Sequence, residues 1–134
     1  MFVAALSWVM PAPPTRRADE LTRLHWVAVA LAAVTGLVHL ALGVGALPAP
    51  LGFASLLAAG GFAAGIALLL AGIYRRVVLA LGIPFTAAQI LLWYLLNEPT
   101  SPGDVSPLAA VDKTVQPALI VVLVALLYRS DGGA

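Results

Sequence analysis

Four long apolar stretches make up most of this chain. They cover about residues 24–47, 51–73, 77–96 and 107–128, and each is bounded by prolines or polar residues. A hydrocarbon core about 30 Å thick needs roughly 20 apolar residues in a helix, so these stretches are long enough to cross a membrane. Because a backbone in lipid must satisfy its own hydrogen bonds, such segments are expected to be helical. The pattern predicts an all-α integral membrane protein.

Short connections separate the four predicted spans. The first turn carries Pro48 and Pro50, and the second contains Tyr74 and two arginines. The longest connection, residues 97–106, is rich in proline, glycine and acidic groups. Ser106 followed by proline is typical of an N-cap and a first helical residue. These features predict an antiparallel, up-down-up-down bundle of four transmembrane helices within one domain, residues 22–130.

The two ends of the chain differ in composition from this domain. Residues 1–21 form an apolar and proline-rich extension with a polar lead-in to the first span. The first ten residues are too short to span, and no basic residue precedes them as in a signal peptide. We expect them to be either an interfacial anchor or an extension from an upstream start site, and dispensable in both cases. Residues 131–134 are expected to be a short tail.

The composition and the residue spacing exclude several function classes. Hydrophobic residues make up 62% of the chain and charged ones 10%, with a net charge of +1 and no cysteine. Nucleic-acid binding needs clustered basic residues, which are absent. His25 and His39 lie about 21 Å apart along one predicted helix, too far to clamp a haem. We expect no catalytic residues, no cofactor, no metal site and no enzymatic activity.

The basic residues predict the orientation in the membrane. Six arginines fall on one side of the predicted topology, and only Lys113 lies toward the other. Short loops rich in basic residues stay in the cytoplasm, so both termini are expected to be cytoplasmic in a multi-pass protein of the cell membrane. The arginines are Arg16, Arg17, Arg23, Arg75, Arg76 and Arg129.

Small residues recur on one face of each of the first two spans. The first span carries Thr35, Gly36 and Gly43 in such a stripe, and the second carries Gly61 and Gly65. Because helices in lipid associate through close backbone approach at small residues, the two stripes are expected to face one another. The alternative is that they reflect only a general richness in alanine and glycine.

Polar residues inside three of the spans lie at similar predicted depths. With a rise of 1.5 Å per residue, the depths below the outer helix ends are about 12 Å for His39, 10 Å for Gln89, 8 Å for Asp112 and 13 Å for Gln116. Polar groups in lipid require partners, so these residues and Lys113 are candidates for a shared polar site. Alternatively, His39 is a packing residue, and Asp112 and Lys113 mark the membrane surface.

Three segments resemble a known kind of protein. They are GLVHLALG (residues 36–43), GIPFTAAQILLWYLLNEP (residues 82–99) and VDKTVQPALIVVLVALLYR (residues 111–129). Together they resemble small four-helix integral membrane proteins of halophilic archaea whose function is uncharacterised, over roughly residues 22–130. The resemblance implies a fold and a membrane location, and no activity.

Two functions fit this pattern. The first is a non-enzymatic bundle in the lipid bilayer that packs with itself, as a homo-oligomer, or with a larger membrane partner. The alternative is a small transporter or a ligand- or ion-binding membrane protein that uses the polar residues of the outer half. The direction of the polar face on the third span distinguishes the two, since an outward-facing polar surface favours a partner interface.

Overall fold

The protein is a bundle of four long helices in this computed structural model, which describes residues 21–132. The helices are α1 (Arg23–Ala46), α2 (Pro50–Ala71), α3 (Arg75–Asn97) and α4 (Pro107–Gly132), with a short 3₁₀ helix at Pro102–Asp104. All four are long and apolar enough to cross a membrane. The predicted fold class is therefore confirmed. The N-terminal extension, apart from its last residue, and residues 133–134 lie outside the described residues.

The helix boundaries follow from local signals in the sequence. Thr22 caps α1, since its Oγ1 accepts a hydrogen bond from the His25 backbone while the His25 ring accepts one from the Thr22 backbone. Ser106 caps α4 through a 3.1 Å bond from the backbone nitrogen of Ala109 to its Oγ. Such caps satisfy amide groups that the first helical turn leaves unpaired. His25 is thus explained by capping.

The turn between α2 and α3 depends on one glycine and one arginine. Gly72 adopts a φ of 74°, a left-handed conformation that favours glycine because it has no Cβ. Arg75 Nε donates a 2.8 Å hydrogen bond to the carbonyl of Leu69, near the C-terminus of α2. The same carbonyl accepts a 3.2 Å bond from the backbone nitrogen of Gly72, so the arginine supplies it with a second donor at the end of the helix.

The loop between α3 and α4 is organised by Asp104. Its Oδ2 accepts hydrogen bonds from the backbone and hydroxyl of Thr100, both at 2.9 Å, and from the backbone of Ser101 at 3.0 Å. These hydrogen bonds, above all the one from the Thr100 backbone, hold the pKa of the Asp104 carboxyl below its usual value. The loop is therefore built around a charged carboxylate at neutral pH. We call this end of the bundle the loop end, and the opposite end, with Arg75 and Arg76, the arginine end.

The four helices do not pack equally against one another. α1 packs most extensively on α2 and also on α4, α4 packs on α3, and α2 and α3 touch least. Leu79, Leu119 and Leu123 belong to the buried cluster at the centre, together with Phe62 and Leu69. The bundle is therefore closed on three sides and partly open between α2 and α3.

Glycines account for the close approach of α1 and α2. A Cβ added at Gly43 would lie 2.8 Å from the Leu56 side chain, and one at Gly36 would lie 3.3 Å from Phe62 Cβ. Gly52, which lies outside the predicted stripe, tolerates a Cβ least, since that atom would lie 2.9 Å from the backbone of Ala46, and a backbone cannot rotate away as a side chain can. The α1–α2 contact is thus a small-residue interface near the loop end.

The prediction that Gly61 and Gly65 face α1 is wrong. A Cβ at Gly61 would meet the ring of Phe85 on α3 at 2.5 Å, and one at Gly65 would lie 3.9 Å from Val78 on the same helix. Periodicity defines a face of a helix but does not say which neighbour that face meets. The second half of the α2 stripe therefore lines the opening toward α3.

We expect Gly52→Ala to lower the free energy of unfolding by about 1–3 kcal/mol, because its methyl group would collide with the α1 backbone, which cannot turn aside. The matched control is Gly60→Ala, whose Cβ meets nothing within 4 Å. The control should be neutral or slightly stabilising, since alanine has the higher helix propensity. Unfolding in detergent would measure both, and equal stabilities would contradict the tight α1–α2 contact.

Candidate functional site

The predicted polar residues come together between α1, α3 and α4, toward the loop end. Asp112 is 2% exposed, Gln116 is fully buried, and His39 is buried beside them. Gln89 and Lys113 are partly buried at the edge of the same group. We call these five residues and Thr35 the polar network. These residues converge because the antiparallel arrangement brings them to the same depth on three different helices.

Thr35 is the centre of the polar network, although its spacing on α1 had placed it only in the small-residue stripe. Its hydroxyl donates to Asp112 Oδ1 at 2.5 Å and accepts from Gln116 Nε2 at 3.2 Å. The residue is fully buried. The hydroxyl of a threonine in a helix often donates to the backbone carbonyl three or four residues earlier, so the sequence alone does not indicate contacts with other helices.

Gln116 joins all three helices. In addition to its bond to Thr35 on α1, its Nε2 donates to Gln89 Oε1 on α3 at 3.0 Å. Its own Oε1 accepts a 2.7 Å hydrogen bond from Lys113 Nζ. Gln89 in turn donates to the carbonyl of Phe85 at 3.1 Å. One buried amide on α4 therefore donates to side chains of α1 and α3 and accepts from the lysine of its own helix.

The charges of Asp112 and Lys113 are paired inside the network. Lys113 Nζ lies 2.9 Å from Asp112 Oδ2 and 5.7 Å from the centre of the Trp93 ring. The ammonium group thus contacts a carboxylate, an amide oxygen and an aromatic face. Pairing of this kind lowers the cost of holding a carboxylate away from water.

His39 lies at the edge of this arrangement. Its Nδ1 donates to the carbonyl of Thr35 at 2.8 Å, which requires the proton on that nitrogen, and it lies 3.9 Å from Asp112 Oδ1. Its ring also approaches Phe62, with centroids 6.0 Å apart. Contact between His39 and Gln89 is indirect and runs through Thr35 and Gln116. The residue therefore has a packing role and is also close to the carboxylate.

The polar face of α3 points partly into the bundle. Thr86 is fully buried and Gln89 bonds to Gln116, whereas Asn97, at the end of the helix, is exposed and bonds the carbonyl of Trp93.

Among the residues that the structure describes, no group of three or more His, Cys, Asp or Glu could hold a metal ion. The chemistry available in the network is hydrogen bonding, one negative charge and one positive charge.

We expect Thr35→Val to lower the free energy of unfolding by about 2 kcal/mol, because it removes the hydroxyl donor from a buried carboxylate. Thr114→Val is the matched control, since the Thr114 hydroxyl is exposed and bonds only the carbonyl of Ala110 in its own helix. That change should stay within about 0.5 kcal/mol. Denaturant unfolding in mixed micelles measures both, and a Thr35→Val effect no larger than the control would rule out Thr35 as the centre.

Comparison with known proteins gives a family and no activity. Residues 15–128 match a family of unknown function, DUF7475. No curated protein and no solved structure matches the chain. The matched region contains all of α1, α2 and α3, most of α4, and every residue of the polar network. The chain belongs to this family of unknown function, and its four apolar helices indicate a membrane protein.

Proposed function

We propose that this protein is a non-enzymatic, multi-pass membrane protein that binds a small monovalent cation at the polar network. The observation that carries the proposal is the position of the Lys113 ammonium, 2.9 Å from Asp112 Oδ2 and 2.7 Å from Gln116 Oε1. Carboxylate and amide oxygens are the ligands that hard cations prefer. The lysine therefore occupies a cation position built from the oxygens of the protein itself.

The charge at this position suits a monovalent cation. Asp112 is the one carboxylate of the network, and it balances a single positive charge. Lys113 is only partly buried and has a long, flexible stem, so its ammonium can move toward the membrane surface and leave the oxygens to an incoming ion. Binding is then an exchange between the built-in ammonium and an external cation.

The direction of the α3 polar residues supports an internal site. Gln89 bonds to Gln116 within the bundle, whereas a partner interface would turn its amide toward lipid. Intramembrane ionisable residues that face a bundle interior generally mark functional sites. This favours ion binding over the partner-binding function as the role of the network.

Partner binding remains the second candidate, because one outer groove favours it. Between α1 and α2, Ala33, Leu37, Ala59 and Ala63 line a groove with a volume of about 490 Å³. Small residues of this kind allow close approach of a further helix, from a second copy or from a larger membrane partner. The groove lies on the surface and does not involve the polar network.

The proposal includes an orientation and a location. Arg23, Arg75, Arg76 and Arg129 lie at one end of the bundle, which favours cytoplasmic termini in the cell membrane, with the polar network in the outer half. The lipid bilayer is the immediate partner, and we propose no interaction with nucleic acid. Kinship with the uncharacterised membrane proteins of halophilic archaea also belongs to this proposal.

We expect Na⁺, K⁺ or Li⁺ to raise the unfolding midpoint of the detergent-solubilised protein saturably, relative to choline at equal ionic strength. A ligand that binds only the folded state stabilises it by about 2.7 kcal/mol at a hundredfold excess over its dissociation constant. Lys113→Met should bind more tightly, because the competing ammonium is gone. Asp112→Asn should lose the effect, whereas Asp104→Asn, which changes an exposed loop carboxylate, should retain it.

The absence of any cation effect in both the wild type and Lys113→Met would contradict ion binding. The network would then be a structural connection between helices. If native mass spectrometry of the same sample showed an oligomer or a bound protein, the second candidate would take precedence.

We expect a cysteine at Gly103, in the α3–α4 loop, to react with an impermeant thiol reagent in intact cells, and one at Ser130 to react only after lysis. The chain has no cysteine of its own, so each label reports one position. The reverse pattern would mean that the orientation is inverted and that the polar network lies in the cytoplasmic half.

A further inference from the structure

An apolar cleft lies where α2 and α3 separate, outside the polar network. It has a volume of about 280 Å³, and its lining includes Gly65 on α2, Val78 and Leu81 on α3, and Leu123 on α4. Leu81 is 62% exposed, so the cleft opens sideways toward the lipid. Thr86 supplies the one polar side chain of the lining. An occupant from the membrane therefore meets an almost entirely apolar surface.

The cleft has the depth of one membrane leaflet. Its lining runs from Leu69 and Val78, beside the α2–α3 turn, to Thr86 in the middle of α3. From Val78 to Thr86 the helix rises about 12 Å, and from Arg75 to Thr86 about 17 Å, close to half of a hydrocarbon core about 30 Å thick. A transmembrane helix is about 10 Å wide and does not fit a space of this volume, whereas a segment of a single acyl chain does.

Positive charge lies at the mouth of the cleft. Arg75 donates to the carbonyl of Leu69, a cleft residue, and Arg76 follows it in the first turn of α3. The N-terminus of α3 has no side-chain cap, and helix N-termini favour phosphate. Of the acidic residues in the described part of the chain, Glu98, Asp104 and Asp112 lie toward the loop end, and Asp131 alone lies at the arginine end, where there are four arginines. This charge distribution is complementary to an anionic headgroup.

We propose that the cleft binds one anionic phospholipid, with an acyl chain between α2 and α3 and its phosphate at Arg75 and Arg76. Basic residues between transmembrane helices are typical of such headgroup sites. The chain completes the side of the bundle that α2 and α3 leave open. This site is independent of the cation site, since the two share no residue.

The test is native mass spectrometry of the delipidated full-length protein, titrated with dioleoylphosphatidylglycerol. The wild type should retain one molecule of this anionic lipid per chain. It should bind the zwitterionic lipid dioleoylphosphatidylcholine more weakly. Gly65→Leu should weaken binding by about tenfold or more, because its side chain fills the cleft while its Cβ has room, 3.9 Å from Val78. Gly60→Leu, which adds the same side chain where nothing lies within 4 Å, should leave binding unchanged.

The headgroup contact has its own pair of variants. Arg76→Gln should weaken binding about fivefold, whereas Arg129→Gln, at the same end of the bundle on α4, should not. Thr86→Val should have no effect, because an acyl chain makes no hydrogen bond to the Thr86 hydroxyl. Equal binding of the two lipids, wild-type binding by Gly65→Leu, or loss of binding in Thr86→Val would overturn the proposal. Full competition by inorganic phosphate would also overturn it, since it would indicate a site for a free anion.

Discussion

A carboxylate inside a hydrocarbon layer must have its charge compensated, and the burial of Asp112 is the constraint on which this bundle depends. Asp112 meets it with two groups from two helices, the Lys113 ammonium and the Thr35 hydroxyl, and the His39 ring lies nearby, with Nδ1 3.9 Å from Asp112 Oδ1. Gln116 extends the connection to α3 through Gln89. Because each of these bonds needs a particular depth, the network fixes the axial positions of α1, α3 and α4 relative to one another.

The second constraint is steric and acts on the remaining helix. α2 has no member of the polar network and is held to α1 by close contacts at Gly43 and Gly52. These contacts lie near the loop end, whereas α2 and α3 touch each other less than any other adjacent pair of helices. The bundle therefore has a polar half with satisfied hydrogen bonds and an apolar half with an open cleft. The two proposed binding sites follow from this division.

The sequence predicted the helix boundaries well where a proline, a cap or a basic pair marks them. The end of α4 carries no such signal, and the helix continues to Gly132, into residues that were expected to be a tail. The common depth of His39, Gln89 and Gln116 also followed from helical rise alone, once antiparallel connections were assumed. Thr35 could not be found in this way, since a small polar residue in a small-residue stripe has several possible partners. The direction of Gly61 was predicted wrongly for a related reason: the rotation of a helix relative to two neighbours depends on packing across the whole bundle.

The most direct test of this account is a double-mutant cycle between Thr35→Val on α1 and Gln89→Leu on α3. The two side chains share no hydrogen bond and are joined only through Gln116. If one network connects the helices, the losses in unfolding free energy should be non-additive, with a coupling of about 0.5–1 kcal/mol. Strict additivity would mean that the two residues act independently, and would contradict a polar network that sets the positions of three helices.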